Sequence, residues 1–223
     1  MLRAVFCVVF ICILANASLL SAQESDHVVK ANRIISRANP PITIKVDKRL
    51  RYVGKIDFPL KGIARVERFI FVEPDTGQHV RRMFVAQFEG FLPNNNEIYR
   101  YKVKTPVVLG GTEYQHNTLF YDDAATGSEE PEAESAKTRA FVTANGYALE
   151  KQLMMSRFAR VVDEAKRHEL ILFYFENLSA SGNDLATLSR NDQDNPEAKA
   201  AAEALLKRAL KAFKVRPLPA EKR

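Results

Sequence analysis

A period of two in the apolar residues constrains this chain more than any other feature. Two branched, apolar runs, Ala64 to Val72 and Val80 to Phe88, flank the turn sequence Glu73-Pro74-Asp75-Thr76-Gly77-Gln78. Side chains of a strand alternate between faces, and Pro, Asp and Gly supply turn dihedrals, so the stretch predicts a hairpin. On its second arm Phe84, Ala86 and Phe88 share a face, and Gly90 marks a bend. The same alternation runs through Leu50, Tyr52, Ile56 and Phe58, interleaved with Arg49, Arg51, Lys55 and Asp57. It returns in Tyr99, Tyr101 and Val103, interleaved with Arg100, Lys102 and Lys104. Val107 to Leu109 and Tyr114 to Tyr121 add two strands across Gly110-Gly111. Leu170 to Phe175, six apolar residues in a row, reads as a strand buried on both faces.

Other segments carry different signals. Asp122 to Glu134 holds six acidic residues and no basic one, the composition of a solvated loop. Ala140 to Thr143 reads as a short strand ending at Asn145-Gly146. Residues 148–166 fit two descriptions. Met154, Phe158, Val161, Val162 and Ala165 form a helical stripe in a helix-rich composition, which slightly favours a helix. Yet Val161-Val162 followed by Asp163-Glu164-Ala165-Lys166 and a strong strand also describes a hairpin. At Asn195-Pro196 a helix opens, with Asn195 as N-cap and Pro196 at the first helical position, and runs to about Lys214. Ala202, Leu205, Leu206, Ala209, Leu210 and Phe213 lie on one side, with Lys207, Lys211 and Lys214 on the other. The expected fold is mainly β to α+β: seven to nine antiparallel strands in a strongly curved sheet or barrel-like domain, with a C-terminal amphipathic helix. Closure would hide the many strand edges.

Both cysteines, Cys7 and Cys12, sit in a run of twelve apolar residues, Ala4 to Ala15, behind Arg3 and before small residues including Ala15-Asn16-Ala17. Such a run is too short for a membrane span and reads as a secretory signal peptide over residues 1–22. The expected protein is exported, periplasmic or extracellular, soluble after cleavage and free of cysteine. That excludes thiol catalysis, thiolate zinc sites and iron–sulfur ligation, and leaves burial of the 14 Phe and 7 Tyr to hold the fold. Residues 23–47, ending in Asn39-Pro40-Pro41, are expected to be an N-terminal tether. Residues 48–194 form the β-rich domain, and residues 195–223 the basic helix and tail.

The net charge of +6 does not point to nucleic acid. Residues 23–196 contain 24 basic and 24 acidic side chains, whereas residues 197–223 contain 8 basic and 3 acidic ones. The excess belongs to one terminal segment, without the aromatic–basic interleaving of a nucleic-acid surface.

Candidate chemistry is sparse. No two of the four histidines stand at the spacing of a local metal pair, there is no Gly-x-Ser-x-Gly, and Gly110-Gly111 lacks the strand–glycine–helix context of a phosphate loop. Glu89, near the end of a core strand, is read as a surface carboxylate that would do acid–base work only if buried beside tyrosines. No catalytic residue, metal ligand or cofactor is nominated, and an enzyme is the least favoured class. The leading expectation is a small apolar or amphipathic ligand in an aromatic-lined β interior, with Tyr52, Phe84, Phe88, Tyr99, Tyr101, Tyr114, His116 and Phe120 as its wall. The alternative is a non-enzymatic interaction module of the cell envelope or extracellular space, meeting an envelope protein or anionic membrane surface through residues 197–214.

Overall fold

The computed structural model describes residues 26–122, 130–189 and 195–219. Residues 1–22, expected to be a signal peptide, and residues 123–129 of the expected acidic loop lie outside the described residues. Strands β1 (His27–Lys30), β2 (Arg33–Ser36) and β3 (Ile42–Val46) come first among the described residues. They are followed by β4 (Arg51–Leu60), β5 (Ala64–Pro74), β6 (Val80–Phe91), β7 (Pro106–Leu109) and β8 (Thr112–Asp122). Helix α1 (Glu134–Ala144) precedes β9 (Gln152–Val161) and β10 (His168–Asn177). Two helical turns, α2 (Leu178–Ser181) and α3 (Leu185–Leu188), lead to α4 (Pro196–Ala212) and β11 (Phe213–Pro217).

Two antiparallel sheets result, one of seven strands in the order β4-β5-β6-β10-β9-β8-β7 and one of four in the order β1-β2-β3-β11. The expected β5–β6 hairpin forms, with Phe71 opposite Phe84 and Phe69 opposite Ala86. The large sheet does not close: β4 and β7 are its ends. Its apolar face is covered instead by the second sheet and α4, which bring Ile34, Ile44, Val46, Leu205, Ala209 and Phe213 onto Phe69, Phe71, Phe84, Met154, Phe158 and Leu172. Covering one face satisfies the same demand for burial that a barrel meets by closure.

Several expectations are corrected. Of the expected tether 23–47, the described residues 26–47 are not a tether, since β1 to β3 lie there and β3 pairs with β11 from the other end of the chain, Phe213 opposite Val46. The alternation of Ile42, Ile44 and Val46 is only five residues long and sits directly behind the paired prolines, whose signal dominated it. The terminal helix starts at Pro196 as expected, Asn195 accepting from Ala198 N at 3.0 Å, but stops at Ala212. Phe213 belongs to a strand and stacks on Phe84 at 4.7 Å. Helix α4 spends its apolar side, Ala201, Leu205, Ala209 and Ala212, on the core, leaving Lys207 and Lys211 in solvent. No helix among the described residues is long and apolar enough to cross a membrane.

Residues 152–161 form a strand. Pairing with β10 on one side and β8 on the other outweighs a helix-favouring composition. The supposed strand at 140–143 is the end of α1, whose buried residues Thr138 and Val142 are one helical turn apart. Residues 99–103 form no ladder; Tyr99 donates from its backbone N to Lys166 O at 2.8 Å and from its hydroxyl to Glu89. In β4 the register shifts between Tyr52 and Gly54. This bulge puts Tyr52 beside Phe71 on the covered face and turns Ile56 and Phe58 to the opposite one, so these residues do not share a face. Gly54, at φ 152°, is needed there: a Cβ would lie 2.8 Å from the ring of Phe141 in α1.

Candidate functional site

The eight nominated residues divide between two places. Phe84, Phe88 and Tyr114 are buried in the covered core, with Phe120 packed against it. His116 lies on that side too, Nε2 at 2.8 Å from Ser156 Oγ and its ring 4.9 Å from that of Phe158. Burial lowers its pKa. Tyr52 is 39% exposed and tilted against Phe71. Tyr99 and Tyr101 lie on the other side of the sheet.

That other side holds a groove of about 960 Å3, and none of the eight lines it. The period of two builds it. Met83, Val85, Gln87 and Glu89 of β6 point into it, beside Glu169, Ile171, Phe173 and Phe175 of β10. Leu153, Met155 and Arg157 of β9 and Leu119 and Tyr121 of β8 extend the floor, while Arg68 of β5 and the first turns of α1 close one side. One half is therefore apolar, centred on Met83, Val85, Met155, Phe173 and Phe175. The other half is polar.

A chain of hydrogen bonds organises the polar half. The buried Arg68 donates from Nε to Gln87 Oε1 at 2.6 Å and from Nη1 to Glu134 O and Thr138 Oγ1, both at 2.7 Å. Its Nη2 also meets the Glu134 carboxylate, and its guanidinium lies 5.4 Å from the Phe58 ring centre and 5.7 Å from that of Phe173. Gln87 then donates from Nε2 to Glu89 Oε2 at 2.7 Å, and Tyr99 donates its hydroxyl proton to Glu89 Oε1 at 2.8 Å. Burial of a guanidinium is tolerated because its N–H groups are committed to bonds and ring faces.

Glu169 stands directly across from Glu89 in the β6–β10 ladder. It is 6% exposed, and its Oε2 is buried with no hydrogen-bond partner among the described residues. Burial, reinforced by the Glu89 charge, pushes its pKa up to about 7, although Arg157 and a hydrogen bond from Tyr101 pull downward. Burial also raises Glu89, against the donations from Tyr99 and Gln87. Both tyrosines are raised, by burial first and by the adjoining carboxylates second. Two buried carboxyls therefore share one end of the groove, and one of them has an oxygen to spare. Among the described residues no group of three or more His, Cys, Asp or Glu is arranged to hold a metal ion.

Glu89 is thus buried and not the surface carboxylate expected, and it has a neighbour that the sequence did not nominate. Arg68 and Glu169 were not nominated from the sequence. A signal did exist. Val66, Arg68, Ile70 and Val72 alternate along one face of β5, so the arginine interrupts an otherwise apolar row, as Gln87 and Glu89 interrupt the row begun by Met83 and Val85.

Comparison with protein-family models, curated proteins and solved structures gave no match to this chain.

Proposed function

We propose that this is a small-molecule binding protein that takes an amphipathic ligand into the groove on the open face of its seven-stranded sheet. The observation that carries the reading is the division of one cavity into an apolar floor and a polar end made of buried, hydrogen-bonded side chains. Ligand sites have this construction: apolar walls supply affinity and a few placed polar groups fix orientation. The aromatic face first considered as the ligand wall is occupied by Phe213, Leu205, Ile34 and Ile44, so the ligand is assigned to the opposite face. The apolar run at residues 4–15 supports an exported setting for this binding. Contact through α4, the competing reading, would rest on its exposed polar side, which carries Lys207 and Lys211, because the apolar side of that helix is buried.

Nile red, a neutral dye that brightens in apolar surroundings, tests the proposal. The protein should bind it saturably, at one site. Leu119→Arg, at a partly exposed position on the groove wall, and Met155→Trp, which fills its floor, should each weaken binding at least tenfold. Unchanged affinity in both variants would overturn the assignment.

A further inference from the structure

We infer that the ligand presents an ammonium group to Glu169 and Glu89, so that the groove selects amphipathic amines over alcohols and carboxylates of the same apolar body. The inference rests on the groove reading above and adds the identity of the polar head.

Three observations converge on it. The first is Glu169 Oε2, an acceptor on a side chain 6% exposed that lines the groove and meets no donor among the described residues. A buried carboxylate oxygen without a partner is costly, and a bound N–H donor removes the cost. The second is the pairing of Glu169 with Glu89 across β6 and β10. Two carboxylates brought this close repel one another, and a cation seated between them relieves both. The third is that two of the four cationic side chains lining the groove, Arg68 and Arg139, are committed to other partners. Arg68 donates to Gln87, Thr138 and Glu134, and Arg139 donates to the carbonyls of Leu149 and Glu150. The Arg157 charge acts on Glu169 without bringing it down to the ordinary carboxylate range. A divalent metal is the poorer occupant, given the missing third ligand among the described residues and the apolar floor beyond. An ammonium on an apolar body suits both halves.

The pairing predicts a pH dependence. The charges that act on Glu169 come from Glu89 on β6, Arg157 on β9 and Glu134 on α1, with the Tyr101 hydroxyl as a hydrogen-bond partner. Above about pH 7 Glu169 is ionised and attracts the ammonium; below it, a proton competes with the ligand.

Displacement of Nile red at pH 8 by octylamine, 1-octanol and octanoate separates the possibilities. Octylamine should bind roughly 10- to 100-fold more tightly than 1-octanol, the range of a charge-assisted hydrogen bond, and octanoate should bind most weakly. Glu169→Gln should bring octylamine to within about threefold of 1-octanol and leave 1-octanol unchanged. In the unmodified protein, lowering the pH from 8 to 5.5 should weaken octylamine about tenfold without affecting 1-octanol; this arm needs no variant. Equal affinities for the three heads, or a preference for octanoate, would overturn the amine assignment while the groove reading stood. If neither Nile red nor any of the three bound, both would fall.

Discussion

The two faces of the seven-stranded sheet are made by the same strands, yet they have opposite chemistry. On one, Phe69, Phe71, Phe84, Phe158 and Tyr174 are fully or almost fully buried under a second sheet and a helix. On the other, α1 packs against Ile70, Val72 and Val80 at one end, and the rest of the face, from Met83 and Val85 onward, is a groove with Arg68, Gln87, Glu89 and Glu169 buried in its wall. The first face lowers its free energy by excluding everything. The second keeps costly polar groups beside an opening, an arrangement that stability alone does not favour. The difference teaches that polar residues interrupting an apolar row, more than a concentration of aromatics, point to the groove.

The sharpest contrast comes from single substitutions. On the covered face Phe84→Ala removes a ring stacked on Phe213 and tilted against Phe71, and should cost about 3–5 kcal/mol in a urea titration. On the open face Glu169→Gln should do the reverse. Its carboxyl titrates at about 7 in the folded protein against an ordinary 4.5, so the folded state holds more protons between those values than the unfolded state does. Stability therefore falls as pH rises through this window, and the full penalty applies above about pH 7. Replacing the carboxyl by an amide should stabilise the protein by up to about 3 kcal/mol at pH 8 and by little at pH 4, as read from urea midpoints at the two values. A Glu169 that stabilises the fold would show a loss at pH 8 and would break the comparison.

Smaller effects sharpen it. Asn195→Ala deletes the N-cap of α4 and the bond from Asn195 Nδ2 to Thr187 O at 2.8 Å, loosening the lid of the covered face by about 1 kcal/mol in the same titration. Met155→Ala, half-buried in the groove floor, should cost less than about 1 kcal/mol, because the space it vacates is continuous with an existing opening. Its signature should be weaker Nile red binding.

Much of the fold was legible where local pattern and tertiary demand agreed. The β5–β6 hairpin, the apolar strand β10 and the capped start of α4 each combine periodicity with a turn or cap signal. It was illegible where long-range pairing overrode local preference. Residues 152–161 favour a helix by composition and become a strand because β8 and β10 flank them. The β4 alternation was read through Val53 as continuous, since nothing in the residues announces a bulge that reverses the faces. The candidate site was legible only in fragments. Glu89 drew notice beside its tyrosines, but Glu169 is 80 positions away in sequence and becomes its neighbour only through the register of β6 against β10.

Adjacent residues on β9 offer the most direct test of the division between faces. Met154 is wholly buried in the covered core, whereas Met155 and Met83 line the groove. With the methionine methyl groups 13C-labelled, titration of the full chain with 1-octanol should shift the Met83 and Met155 resonances and leave Met154 in place. A shift confined to Met154 would put the ligand in the aromatic interior and contradict the account.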